Sequence, residues 1–302
     1  MSSQVVPADI EINEKIVSSV ISEQFSLAIT SCEILGEGWD NLVYLINNIL
    51  VFRFPRRLEA VILIEREISI LKNLAAHLPL LVPQPTFIGQ ASPKFKRPFY
   101  GHQLIPGVSG CRVSLSEQQY RHAAKALGHF LALLHHIDPD KLELRPDELA
   151  PIYDRAYWPR MSKFFLERLE SLKAHYQLDN YQAKIEQILA GASSYKPTRK
   201  PVLIQGDLYH RHLIFDAHQL SGIIDWGDAG IGDPVSDLGI VYQFFPVYAH
   251  QDFWHSYGPV SKAAKRYARF LGLYYAIAML WYGHDRQDQD LIRTSLATLK
   301  MI

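Results

Sequence analysis

Two carboxylates and an imidazole stand close together in the stretch 201–239, PVLIQGDLYHRHLIFDAHQLSGIIDWGDAGIGDPVSDLG. Asp207 follows a β-like run and a glycine, His212 lies five residues on, and Asp225 closes a third β-like run of a small hairpin. Strand ends facing a common cleft would let one carboxylate orient an attacking hydroxyl and accept its proton. The second would hold a metal that bridges phosphates, and phosphoryl transfer needs that division of labour. Read alone, the same three residues fit at least as well as solvated turn residues. Asp233, directly before Pro234, reads as an N-cap with proline at the first helical position. Asp228 stays open between supporting a metal and touching a substrate. The 13 histidines invite a zinc reading, but His210 and His212 lack an HExxH companion, and His122, His129, His135 and His136 lie on one helix.

These residues need elements to carry them. Residues 7–25 read as a short amphipathic helix, followed by β-like runs at Leu27–Leu35, Leu42–Ile46 and Ile49–Phe54. Gly36-Glu37-Gly38 and Asn47-Asn48 supply the turns between them. Leu58–Ala76 carries apolar residues at helical spacing, and Val82-Pro83-Gln84-Pro85 stops it because proline disfavours helix at its own position and one before. Strand-like runs follow at Thr86–Gly89 and Phe99–Ile105. From Pro106 the pattern changes: Ser116–Ile137 is a long helix with Ser116 as N-cap, and residues 151–193 read as two or three helices. Three short β-like runs come next, Val202–Gln205, His212–Phe215 and Gly222–Ile224, then helices to residue 302. Strands followed by helices imply an α+β fold with segregated lobes. The boundary falls near Pro106, giving residues 1–105 and 106–302.

Composition narrows the partners. The chain has 302 residues, about twice a usual domain, and 48% hydrophobic residues supply a core. Lys plus Arg and Asp plus Glu each total 31, so a globally basic nucleic-acid binder and a polybasic membrane-surface protein are disfavoured. Cys32 and Cys111 are too few for a disulfide scaffold or a cysteine zinc site. The first residues lack a signal-peptide pattern, and Phe270–Gly283 is too short to span a bilayer. A soluble, cytoplasmic, enzyme-sized protein is expected, with no nucleic-acid or membrane partner.

The block QGDLYHRHLIF…GIIDWGDAGIGDP…DL, with LGEGWDN (35–41), VFRFPRR (51–57), LIPG (104–107) and LLHHID (133–138), resembles the aminoglycoside phosphotransferases, with the macrolide phosphotransferases as close relatives. The resemblance runs from Leu35 to about Phe245. It implies a two-lobed protein-kinase-like fold: a nucleotide-binding lobe over 1–105, with a five-stranded antiparallel sheet plus helix, and a helical catalytic and substrate-binding lobe over 106–302. It further implies Asp207 as the catalytic residue and Asp225 with His212 as Mg²⁺ ligands. Gly36, Gly38 and Asn41 fall in the loop over the nucleotide phosphates, where a missing Cβ lets backbone N–H groups approach. Gln103, Leu104 and Ile105 match the hinge that receives the purine of ATP or GTP. Glu67, with Glu65 as the fallback, matches the helix carboxylate that pairs with the third strand's cation. Asp237 matches a residue that braces the catalytic loop.

Three positions depart from the family pattern. Arg53 stands where lysine is usual, and its planar fork differs from a point-charge ammonium. His212 stands where asparagine is usual, although magnesium prefers oxygen ligands. Gln205 stands where histidine is common two residues before the catalytic aspartate; an amide can brace a loop but does not titrate. The expected activity is γ-phosphoryl transfer to a hydroxyl of an antibiotic-like acceptor, an aminoglycoside first, as in antibiotic resistance. A macrolide 2'-phosphotransferase-like kinase and a non-catalytic nucleotide-binding module are the alternatives. Asp285, Asp288 and Asp290 offer an acidic patch for a polycation, interleaved by Arg286 and Arg293. The aromatic residues, including Tyr274 and Tyr275, read as core.

Overall fold

Alternating apolar residues in three consecutive runs build one sheet, and a computed structural model describes it together with the rest of residues 8–74, 77–139, 154–197 and 200–302. The chain divides into two compact units, one of residues 1–76 and 81–105, the other of 77–80 and 106–302.

In the first unit, strands β1 (Cys32–Glu37), β2 (Asn41–Ile46), β3 (Leu50–Pro55), β4 (Phe87–Gly89) and β5 (Phe99–Gln103) form an antiparallel sheet in the order β1-β2-β3-β5-β4. Helix α1 runs Glu14–Phe25, starting later than residue 7, because Asn13 caps it by accepting the Ile16 N–H at 3.0 Å. Strand β1 begins five residues after Leu27, since Asn47 Oδ1 takes the Thr30 and Ser31 amides and holds that segment as a turn. Its register slips between Ile34 and Gly36, a bulge just before the glycine-containing loop. Six aromatic rings (Phe25, Phe52, Phe54, Phe87, Phe95, Phe99) fill the core between α1 and the sheet, with Phe54 and Phe99 stacked at 4.5 Å. Helix α2 (Ala60–Leu74) buries Ala60, Ile64, Glu67, Ile68, Leu71 and Leu74, a stripe at three- and four-residue spacing. Ile64 and Ile68 on that stripe meet Tyr100 and Ile88 of the sheet. The last two residues of the helix expected over 58–76 lie outside the described residues.

In the second unit, α3 (Glu117–Leu134) starts at a capping box in which Ser116 and Gln119 exchange hydrogen bonds. Helices α4 (Trp158–Leu172) and α5 (Gln182–Ala192) occupy the region expected to be helical; residues 151–153 of that region lie outside the described residues. The chain then passes through β6 (Val108–Ser109), β7 (Val202–Ile204), β8 (Leu213–Asp216), β9 (Gln219–Ile223) and β10 (Gly230–Gly232), of which β6 precedes α3 in sequence. The hairpin differs from expectation. β8 pairs with β9 and β6, whereas β7 pairs with β10 in a separate two-stranded sheet. Asp207 and Asp225 therefore leave strands of different sheets. Short helices α6 (Val235–Leu238), α7 (Ile240–Phe244) and α8 (Val247–Tyr257) lead to α9 (Lys262–Arg286) and α10 (Gln289–Met301). The 25-residue α9 packs against α4, α5, α7 and α10, and it is buried on nearly every side between Tyr267 and Gly283. Among the described residues, no helix is long and apolar enough to cross a membrane.

Candidate active site

The loop after β7 turns sharply because Gly206 has φ +86, and a Cβ there would sit 2.3 Å from the carbonyl oxygen of Asp228. Only glycine combines that left-handed conformation with so close an approach. Beneath this turn lies Asp237, fully buried, whose Oδ2 accepts the Gln205 N–H and whose Oδ1 accepts the Gly206 N–H, both at 2.8 Å. His135 Nε2 reaches the same Oδ2 at 3.1 Å, and its Nδ1 is 2.8 Å from the Tyr257 hydroxyl. A buried carboxylate is tolerated when several donors serve it, and these fix the backbone that carries Asp207.

Gln205 ties that loop to the one bearing Asp225. Its Oε1 accepts the Asp207 N–H at 2.8 Å, and its Nε2 donates to the carbonyls of Ile224 and Asp225. The amide does this with both ends of one side chain, as the departure from histidine allowed. Asp225 itself has φ 61, a left-handed conformation that costs a non-glycine residue about 1–3 kcal/mol and is held here by its neighbours. Trp226 anchors the next position, fully buried with Nε1 donating to the Ile223 carbonyl at 3.0 Å.

His212 is buried between the two aspartates. Its Nδ1 lies 2.9 Å from the Asp207 backbone carbonyl, which can only accept, so Nδ1 carries the proton. Its Nε2 lies 3.4 Å from Asp225 Oδ2. With its proton on Nδ1, a neutral His212 would offer Nε2 beside the Asp225 carboxylate, a nitrogen and an oxygen donor that fit a divalent ion. Among the described residues no three His, Cys, Asp or Glu side chains converge as a metal cage. Magnesium characteristically takes one or two protein ligands and completes its shell with water and phosphate oxygens, so the pair suffices in number.

Asp207 Oδ1 accepts from Arg155 Nη2 at 2.6 Å and from the Tyr275 hydroxyl at 3.0 Å. The same Nη2 donates to Asp228 Oδ2 at 3.0 Å. Burial pushes the Asp228 carboxyl up to about 6; Arg155 opposes that shift and the Asp207 charge adds to it. Burial likewise raises the Tyr275 phenol well above its ordinary value, so it stays a proton donor. Neither Arg155 nor Tyr275 was marked by the sequence. Arg155 lies in a polar stretch without a motif. Tyr275 falls within a helix buried on nearly every side, where the one available signal is that a buried tyrosine hydroxyl needs a partner.

In the first unit, Arg53 Nε lies 3.3 Å from Glu67 Oε2, the two side chains 10% and 0% exposed, while Glu65 is exposed. The loop at 36–41 closes with the Gly38 N–H on the Asn41 carbonyl at 2.9 Å. Arg56 donates to Glu37 and to the Gly38 carbonyl, Arg57 pairs with Asp40, and Asn41 is buried. A Cβ on Gly36 would meet nothing within 4 Å, so the fold's own packing does not require glycine there. Beyond β5, Leu104 donates its N–H to the Ile49 carbonyl at 2.8 Å, while Gln103 is exposed and Ile105 buried.

The acidic patch expected at 285–290 is largely neutralised. Asp288 caps α10 by accepting the Leu291 N–H and pairs with Arg211, and Asp290 pairs with Arg112 and Arg293. Asp233 does cap, accepting the Val235 N–H at 2.9 Å, and it also receives the Tyr195 hydroxyl.

A small antiparallel sheet with a buried Arg–Glu pair, together with a helical unit carrying paired carboxylates on braced loops, defines a protein-kinase-like fold. The model of the phosphotransferase enzyme family matches residues 31–271, and the chain belongs to that family. It is accordingly a phosphotransferase. Similar solved structures include the GDP complex of aminoglycoside 2'-phosphotransferase-IIIa, 24% identical, covering 96% of this chain and 98% of that chain with a TM-score of 0.69. The GDP and kanamycin complex of APH(2")-IIIa is also 24% identical, covering 94% and 97% with a TM-score of 0.68. The apoenzyme of a macrolide 2'-phosphotransferase from Brachybacterium faecium is 20% identical, covering 94% and 97% with a TM-score of 0.62. At these identities the likeness is one of fold.

Proposed function

We propose that the protein transfers the γ-phosphoryl group of ATP or GTP to a hydroxyl of an antibiotic-like small molecule, with an aminoglycoside as first candidate. The observation that carries this reading is the pairing of Asp207 with the His212–Asp225 donor set on two loops joined through Gln205. Asp207 orients the acceptor hydroxyl and takes its proton. The hydroxyl oxygen bonds to the γ-phosphorus as the bridging P–O bond breaks, releasing a nucleoside diphosphate. Asp225 and His212 would hold Mg²⁺, which when bound neutralises charge on the phosphates. Arg53, kept in place by Glu67, supplies a fixed cation for the nucleotide phosphates, and Gly36, Gly38 and Asn41 give backbone groups to the same phosphates. The Cβ space left open at Gly36 supports that role. Gln103, Leu104 and Ile105 would receive the purine through the backbone groups left to them, since the Leu104 N–H is engaged by Ile49 and the Gln103 carbonyl lies 2.8 Å from His102 Nδ1.

One observation favours the macrolide reading of the same site. The carboxylates at 288 and 290 are already paired with arginines, which removes the charge a polycation would seek and favours a large, mostly apolar acceptor. Purified protein with Mg²⁺, ATP or GTP and a panel of aminoglycosides and macrolides decides, with products read by mass spectrometry. A phosphorylated product, lost by at least about a hundredfold in Asp207→Ala, is expected. Nucleotide binding with no product from any acceptor, and no hydrolysis sensitive to Asp207, would reassign the chain as a nucleotide-binding module.

A further inference from the structure

The carboxylate of Asp207 has two chemically equivalent oxygens, and only one of them can meet the acceptor hydroxyl. Both of its side-chain donors, Arg155 Nη2 and the Tyr275 hydroxyl, fall on Oδ1, at 2.6 and 3.0 Å. The Nη2 amino group has two protons; the second goes to Asp228 Oδ2 at 3.0 Å, so the guanidinium is anchored on both sides. Arg155 is also fixed through its backbone, where its carbonyl accepts the buried Tyr267 hydroxyl at 2.9 Å, and its guanidinium lies 5.8 Å over the Tyr275 ring. Tyr275 is 2% exposed and held in the interior of α9, so its hydroxyl has little freedom to leave. Asp207 keeps a side chain 29% exposed, which leaves its other oxygen reachable from solvent.

We infer that Arg155 and Tyr275 are positioning residues that clamp Oδ1 of Asp207 and so select Oδ2 as the oxygen that receives the acceptor proton, with Asp228 holding Arg155 in register. The inference rests on the phosphotransfer reading for its kinetic consequence, but the clamp itself is geometric. A carboxylate free to rotate presents the correct oxygen only part of the time. Two donors on one oxygen convert that freedom into a fixed direction, the kind of preorganisation that lowers a barrier without changing ground-state binding. Arg155 brings a fixed positive charge beside Oδ1 of Asp207, and Tyr275 brings direction.

Tyr275→Phe tests this with little risk to the fold, because it keeps the ring and removes one O–H. Turnover of the acceptor by Tyr275→Phe should fall about tenfold in kcat, with nucleotide and acceptor KM changed by less than about twofold. Arg155→Gln should lose about a hundredfold and Arg155→Lys should recover part of it, since a lysine restores the charge but not the planar guanidinium that lies over the Tyr275 ring and fixes the amino group. In an Asp207→Ala background, Tyr275→Phe should cost nothing further, because its hydroxyl acts only through that carboxylate; a merely structural tyrosine would reduce the residual rate by the same factor again. Crystal structures of Tyr275→Phe and Arg155→Gln should show the Asp207 carboxylate turned or in two orientations. Wild-type kcat in Tyr275→Phe, or multiplying losses in the double variant, overturns the clamp and leaves the phosphotransfer reading intact. If the wild type turns over nothing, that reading fails and the crystal structures alone decide: an unmoved Asp207 in both variants overturns the clamp.

Discussion

Replacing Asp237 by asparagine changes one atom type at the centre of the second unit. The wild-type carboxylate accepts three hydrogen bonds at 2.8, 2.8 and 3.1 Å, from Gln205 N, Gly206 N and His135 Nε2, with no solvent access. An amide supplies only one acceptor oxygen. Turned to keep Gln205 and His135, it sets an –NH₂ against the Gly206 N–H; turned the other way, it strands Gln205. Either choice loses one charge-assisted bond and leaves a buried donor facing a donor, which together cost about 3 kcal/mol. For a unit of about two hundred residues that corresponds to a fall in Tm of about 6–12 °C. Urea unfolding should show a lower midpoint at unchanged slope. Because the two amides immediately precede Asp207, kcat should fall more than KM changes. An Asp237→Asn protein within about 0.5 kcal/mol of wild type, with wild-type kcat, would refute the bracing role, since no other donor set serves that loop backbone in the same way.

Two further outcomes follow from the same coordinates. Gly206→Ala combines a left-handed conformation, worth about 1–2 kcal/mol, with a Cβ 2.3 Å from the Asp228 carbonyl oxygen, so the loop must shift; stability and turnover should both drop, and a wild-type-like alanine variant would contradict the close approach. His102 is pushed down to about 4 from 6.5, chiefly by burial, with the Arg53 charge adding to the shift. The folded first unit therefore keeps it neutral while the unfolded chain takes up a proton below pH 6.5, and stability present above that pH is lost as pH falls towards 4. At pH 5 the loss is about 2 kcal/mol, and His102→Gln should flatten the difference between urea midpoints measured at pH 7 and pH 5. An unchanged difference would place the acid sensitivity elsewhere.

Much of this architecture is legible before folding. The apolar spacing of α2 is readable, although only the structure buries Glu67 and leaves Glu65 exposed, and Ser116 and Asp233 announce helix starts through their side-chain acceptors. Gly-Asp after an apolar run marks the Asp207 loop, and Asp-Trp-Gly the Asp225 loop. Boundaries moved where a distant side chain intervened: Asn47 delayed β1, and Asn13 shortened α1. The acidic residues at 288 and 290 looked available in sequence and are not, because their arginine partners include Arg211 and Arg112, 77 and 178 residues away.

The sequence by itself determined which residue types stand at strand ends, where the helices after Ser116 and Asp233 begin, and that cation and anion balance at 31 each. These depend on neighbours within a turn or two, so periodicity and capping chemistry carry them. Only the tertiary structure decided that β7 pairs with β10 rather than with β8, and that Gln205 bridges the two aspartate loops across that break. It alone brought Arg155 to Asp207 and Tyr275, positions 52 and 68 residues away from that aspartate. Their charge and hydroxyl carry no local signature. They gain meaning from burial beside a carboxylate, where a guanidinium and a phenol that water would otherwise satisfy must take the partner that packing supplies.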